Sequence, residues 1–333
     1  MRKKGLVERI IISEPASEDF SVDKLPKNRA RLFLYMLRNK TLRIYKNHLL
    51  TALFFLPLIV WSVLTVNYTD WLFSLDGREG ITHLVEYWFT VHVSAIPLWV
   101  LAFVGLSGGL NVIRKLAWND PVILKSDFAS GIRSSGKQIA LVGLFFGIAY
   151  AILRYMIDWL GFYYRVFDDS ASVVFGIFVC VFLLVVIIGL AVYMCCMSSL
   201  YNVTTKQLLV GSFKLYFSDF FLATGVILAS LLPIIIINLS DYAIVLLIGY
   251  LLVLALLIGV MIIPPFLVCQ HSFDRVINKK DYPDYYGRGL CYGVYKDKEN
   301  STEEEPDGAS DILIKDDIDD LETDFERVKD EQN

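Results

Sequence analysis

The sequence predicts an all-α, polytopic membrane protein with six transmembrane helices and both termini in the cytoplasm. Three observations lead there. Apolar runs of about twenty residues, nearly free of ionisable groups, recur along the 333-residue chain, and that is the length a helix needs to cross the hydrocarbon. Hydrophobic residues make up 55% of the chain, above the roughly 45–50% of an ordinary soluble domain, and the mean hydropathy is +0.52. Between two of the runs lies 106–138, LSGGLNVIRKLAWNDPVILKSDFASGIRSSGKQ, a polar connector with Arg114, Lys115, Lys125, Arg133 and Lys137. Short loops dense in Lys and Arg stay on the cytoplasmic side, so this one segment orients the chain.

Residues 1–47 read as a cytoplasmic, basic amphipathic segment. The opening MRKKGLVERIIISEPASEDF has cations but no apolar core of signal-peptide length, so the first span is expected to act as the targeting signal. Between Asn28 and Asn47, six basic residues from Arg29 to Lys46 interleave with Leu32, Phe33, Met36, Leu37, Leu42 and Ile44. That pattern fits a helix lying along the inner membrane face, and it argues against nucleic acid as a partner, because the apolar positions would have nothing to pack on.

The transmembrane domain is expected at 48–270. Span one, 48–66, contains Pro57, which kinks a helix and frees a carbonyl that a neighbour must satisfy. The loop 67–83 has one Arg and interfacial aromatics such as Trp71 and Trp88 at its edges, as outer loops do. Span two, 84–106, carries Glu86 near its outer end, then His92, then Pro97. A titratable side chain in lipid is expensive and so often functional, while a neutral histidine bonded to a neighbouring helix is the structural alternative. Span three, 139–160, opens with Gly143 and Gly147, a spacing that lets two helices approach closely. Near its outer end Arg154 and Asp158 stand one turn apart and can pair along one face. His92, Arg154 and Asp158 form the candidate intramembrane polar site.

Beyond an outer loop with Arg165, Asp168 and Asp169, span four, 172–197, has no charge. The inner loop 198–219 carries Lys206 and Lys214, and span five, 220–239, holds Pro233. Span six, 243–270, holds Pro264 and Pro265. Prolines in spans one, two, five and six suggest an internal repeat, but the halves share too little sequence to carry that idea.

The tail divides in two. Residues 271–295, aromatic and basic, are expected to pack on the inner face; 296–333 is acidic and poor in apolar residues, the composition of mostly disordered chain. From Asp297 onward sixteen acidic residues face four basic ones, so the tail carries -12 and the rest of the chain +8 within a net charge of -4. Ile314, Ile318, Leu321, Phe325 and Val328 recur every four and three residues, a stripe suited to docking in a groove if the segment becomes helical.

No catalytic, cofactor or metal site is expected. The five cysteines are an odd number without a disulfide framework, and Cys269 with His271 lacks a second pair of ligands at a metal spacing. HExxH and Walker loops are missing from the sequence, which points away from an enzyme.

GGLNVIRKLAWND, SDFASGIRSSGKQ, the LLPIII span and CQHSFDRVINKKDYPDYYGRGL together resemble the YesL-like family of bacterial integral membrane proteins, over about residues 28–290. The acidic tail is not part of that pattern. The resemblance implies a plasma-membrane protein without known enzymatic activity, whose relatives are often encoded beside ATP-driven (ABC-type) carbohydrate uptake systems.

Two functions follow as expectations. The first is a non-enzymatic accessory protein of a solute uptake system, in contact with the lipid bilayer and offering Arg114, Lys115, Trp118, Asp127 and Phe128 to a cytoplasmic partner. Asp127 after Ser126 can equally begin a short helix as its cap. The alternative is a transporter or permease subunit with a substrate path between proline-broken helices and His92 on it.

Overall fold

The computed structural model describes residues 25–73, 78–167, 171–237 and 243–291, and within them every regular element is helical. In chain order these are α1 (Arg29–Asn39), α2 (Thr41–Phe73), α3 (Arg78–Ser94), α4 (Ile96–Ala117), α5 (Leu124–Phe167), α6 (Ala171–Leu200) and α7 (Thr205–Ser218). There follow α8 (Phe220–Ile237), α9 (Ala243–Leu252) and α10 (Ile258–Phe273), with a π-helical segment, Val253–Leu257, between the last two. Expectations for Asp168, Asp169 and the tail beyond 291 lie outside the described residues.

Five helical stretches are long and apolar enough to cross a membrane: Thr41–Thr65, His83–Ala117, Leu124–Tyr164, Ala171–Leu200 and Phe220–Ile237. The sixth expected span is a pair, Ile244–Ala255 and Gly259–Asn278, bent by 62°. The bend sits at the π segment rather than at Pro264 and Pro265, which lie inside α10. A π segment shifts the hydrogen-bond register by one residue and leaves backbone groups to find other partners. One is found at once: the Gly259 N–H donates to His48 Nδ1 of α2 at 3.1 Å. Pro57 and Pro233 likewise lie within α2 and α8, which run on past them.

The connector 107–138 is not an irregular loop. His83–Ala117 has 35 residues, about 52 Å at 1.5 Å each, against a hydrocarbon thickness of about 30 Å. Leu124–Tyr164 is longer still at 41 residues. Both helices therefore run past the apolar length and meet as an antiparallel hairpin that turns over 118–123. Small residues permit the contact: a Cβ at Gly131 would stand 2.6 Å from Asn111 Cβ and 2.8 Å from the Ser107 carbonyl oxygen. Farther along, Gly143 faces Phe103, and Gly147 faces Ile96 and Trp99, the close approach that their spacing predicts. Phe54 and Thr51 of α2 fill the space left by Gly105 and Gly109.

α1 differs from the expected surface helix. Asn28 caps it, its side chain accepting from the Arg31 N–H at 2.8 Å, and Leu32 and Met36 are fully buried in the main core. Its apolar stripe thus packs on protein, while Arg31, Leu34 and Arg38 face outward. Residues from Leu42 to Lys46 belong to α2, so the segment is two helices broken at Lys40.

After α10 the chain wraps the connector end of the bundle. The 3₁₀ turn Pro283–Tyr285 lays Tyr285 on Trp118, with ring centroids 5.2 Å apart, and Gly289 (φ +83°) lies against the Ala117 carbonyl, where a Cβ would come within 2.1 Å. That backbone conformation and that proximity both require glycine. The wrap closes on the start of the described chain, where the Cys291 N–H donates to the Pro26 carbonyl at 3.2 Å.

Candidate functional site

Two clusters of polar side chains stand out, one at the connector end and one near the opposite end of the bundle.

At the connector end, α4 finishes in a knot of charge. Arg114 donates from Nη1 to the Ser199 carbonyl at 2.8 Å and from Nη2 to Asn111 Oδ1 at 2.7 Å. Asn111 in turn donates to the Asp127 carbonyl at 2.7 Å. Lys115 Nζ pairs with Asp127 Oδ1 at 2.7 Å. The other oxygen of Asp127 accepts the Ile123 N–H at 2.8 Å, so Asp127 caps α5 from inside its first turn, one turn later than the expected cap position. Phe128, 6% exposed, fills the space over Gly108. Two guanidinium groups lie over the Trp118 ring, Arg114 at 5.4 Å and Arg288 at 4.8 Å from its centroid, contacts in which the ring face attracts the cation.

The five residues expected to meet a partner therefore do come together, and they face one another. Asp127 and Phe128 are buried, and Arg114, Lys115 and Trp118 spend their polar and aromatic surfaces on neighbours. The outward charges of the hairpin are Lys125, Arg133 and Lys137, all exposed and without a side-chain partner among the described residues.

The same end holds groups that the sequence reading passed over. Arg29 and Asp274, 9% and 8% exposed, pair at 2.5 Å, and Arg29 also donates to the Arg288 carbonyl at 2.9 Å. Tyr201 donates to Asn278 Oδ1, and burial pushes its phenol up. Lys40, at the break between α1 and α2, donates to the Leu116 carbonyl at 2.5 Å and to Asn119 Oδ1. Burial and the nearby Arg43 lower its pKa to about 8, against the opposing pull of Asp120. Asn119 takes φ +61°, a turn conformation that asparagine tolerates better than most residues.

At the other cluster, α3 and α5 are joined by their ionisable groups. His92 Nε2 lies 2.8 Å from Asp158 Oδ2, and Arg154 Nη2 lies 3.1 Å from Asp158 Oδ1. Asp158 thus takes a different partner on each oxygen, and the three candidate intramembrane residues form one connected group. His92 and Asp158 are 12% and 16% exposed, Arg154 46%. The sequence gives the Arg154–Asp158 pair by its spacing, whereas the His92 partner needs the register of two helices. Chemically, the group ties α3 to α5 through an imidazole–carboxylate contact.

A third set lies in the first span. Asn47, His48 and Thr51 are almost fully buried, and Asn47 donates to the Gly109 carbonyl at 3.2 Å. His48 Nε2 and Asn47 Oδ1 have no partner among the described residues. The available signal was the Asn47–Thr51 spacing on one helical face.

Comparison with family models, with curated proteins and with solved structures finds no match.

Proposed function

We propose that the chain is a six-span integral protein of a bacterial plasma membrane, with both termini in the cytoplasm. On this reading it is not an enzyme but an accessory partner of an ATP-driven solute uptake system. The resemblance to YesL-like proteins supplies the class of partner. One observation supports the accessory role: the hairpin of α4 and α5 extends past the apolar length and carries Lys125, Arg133 and Lys137 outward without partners. The inward-facing knot of Arg114, Lys115, Trp118, Asp127 and Phe128 then serves to hold that hairpin rigid.

Cross-linking in the native membrane, followed by mass spectrometry, tests this. The intact chain is expected to retain a permease or ATPase subunit, and Lys125→Glu/Arg133→Glu/Lys137→Glu to lose it while keeping the parent thermal stability. Equal recovery with both forms, or no uptake subunit with either, overturns the docking role.

A permease reading rests on the linked group His92, Asp158 and Arg154, because a charge network between two helices at membrane depth is costly and is often retained for function. It requires His92→Gln to abolish solute uptake in a reconstituted system; unchanged uptake would leave the group a structural clamp between α3 and α5.

A further inference from the structure

Beside α1 lies a groove of about 550 Å³ whose lining includes Lys27, Arg31, Arg38, Leu34 and Tyr35, and no carboxylate. The three cations are exposed and have no side-chain partner among the described residues. Leu34, between Arg31 and Arg38 on the helix, is 64% exposed. An occupant complementary to this face is apolar along one stripe and anionic beside it.

The chain carries such a segment, and it starts at the groove. Cys291 is hydrogen-bonded to Pro26, itself part of the lining, and residues 292–333 follow from that point. The other free end is a poorer match: 1–24 has five basic and five acidic residues and no net charge. We propose that residues 311–331 dock in the α1 groove as a helix. Ile314, Ile318, Leu321, Phe325 and Val328 lie over Leu34 and Tyr35. The flanking carboxylates, among them Asp317 and Asp324, face Lys27, Arg31 and Arg38.

Length permits it. The 22 residues between Cys291 and Ile314 span about 25 Å as a flexible chain, while α1 is about 16 Å long. A tether of that length sets an effective concentration on the order of millimolar, so even a weak contact is populated. The docked tail covers cations that an anionic bilayer surface would otherwise attract. Tail and anionic lipid therefore compete for α1, and membrane charge sets which one wins. The contact is independent of the proposed orientation and uptake role, because Cys291 and Pro26 place the tail and the groove at the same end.

The test uses the full chain in nanodiscs of zwitterionic lipid, with a photo-cross-linking residue in place of Leu34. Cross-links are expected within one chain, at 311–331. They fall about tenfold in Arg31→Glu/Arg38→Glu, which turns two attractions into repulsions, and fall likewise at about 1 M salt, where screening acts within about 3 Å. Adding Asp317→Lys and Asp324→Lys to the reversed groove restores them, which a merely misfolded groove would not allow. Cross-links that reach lipid, residues 1–24 or an isotope-labelled second copy instead of the tail overturn the proposal. So do tail cross-links indifferent to charge reversal.

Discussion

Asp274 accepts from Arg29 on one oxygen, at 2.5 Å, and on the other from Asn278 Nδ2 and the Gly287 N–H at 2.8 and 3.3 Å. Removing the guanidinium alone leaves a buried carboxylate without its countercharge, which costs about 3–5 kcal/mol, whereas replacing a whole buried pair by apolar groups is often neutral. Arg29→Met is thus expected to lower the unfolding midpoint in detergent sharply and to expose 271–291 to hydrogen exchange. Arg29→Met/Asp274→Leu should recover much of the loss; a double variant as unstable as the single would show that the pair does not act as a unit. Lys40 gives a pH effect of definite sign. Its pKa in the fold is about 8, below the ordinary 10.5, so between those values the folded chain has released a proton that the unfolded chain still holds. Stability must rise with pH across that window, and the burial penalty stands in full below about pH 8. Thermal unfolding at pH 7.5 and 9.5 reads this directly, and the rise should vanish in Lys40→Met. An unchanged rise in that variant would assign it to another group.

Among the described helices, α4 and α5 share the most extensive contact, and one helix provides both a test and its control. A methyl at Gly131 meets Ser107 and Asn111 within 3 Å, while Gly161, on the same helix, has nothing within 4 Å. Alanine is preferred to glycine in a helix by about 1 kcal/mol, and overpacking costs typically 1–3 kcal/mol. Gly131→Ala is therefore expected to destabilise the protein, and Gly161→Ala to leave it unchanged or slightly more stable, in parallel melts. Equal effects at the two sites would remove the close crossing from the account. This contrast also marks what was legible in the sequence. Apolar length placed the helices long and apolar enough to cross a membrane, and the Gly143–Gly147 spacing named one real contact face. Composition could not show where helices continue: Arg114, Lys115 and Asp127 look like loop charges until they are seen to pair across a helical hairpin. Nor could proline content place the break near Gly259, because α10 runs through Pro264 and Pro265 while the bend comes earlier, at the π segment.

At the scale of the molecule, one hydrogen bond constrains the topology. Pro26 and Cys291 touch, and the proposed six spans meet that constraint, since an even number of crossings returns the chain to the side it left. Five straight helices, if each crosses, leave the chain at the far side after Ile237, and the return requires the bent pair to cross as well despite its 62° angle. The proposed orientation rests on charge. The connector end holds Arg31, Arg38, Lys125, Arg133 and Lys137 as exposed cations, and an excess of Lys and Arg near span ends marks the cytoplasmic side. A reporter active only outside the cytoplasm is thus expected to be active when fused after Tyr68, Phe167 or Ser240, and silent at Asn333. Each fusion tests a different premise. Activity at Asn333 with silence at Tyr68 would invert the protein and move the cation-rich hairpin to the outside, against the charge rule. Silence at Ser240 alone would mean that α8 fails to cross and that α9 with α10 forms a re-entrant element, in which case the His48–Gly259 contact would join a span to a half-helix rather than two spans.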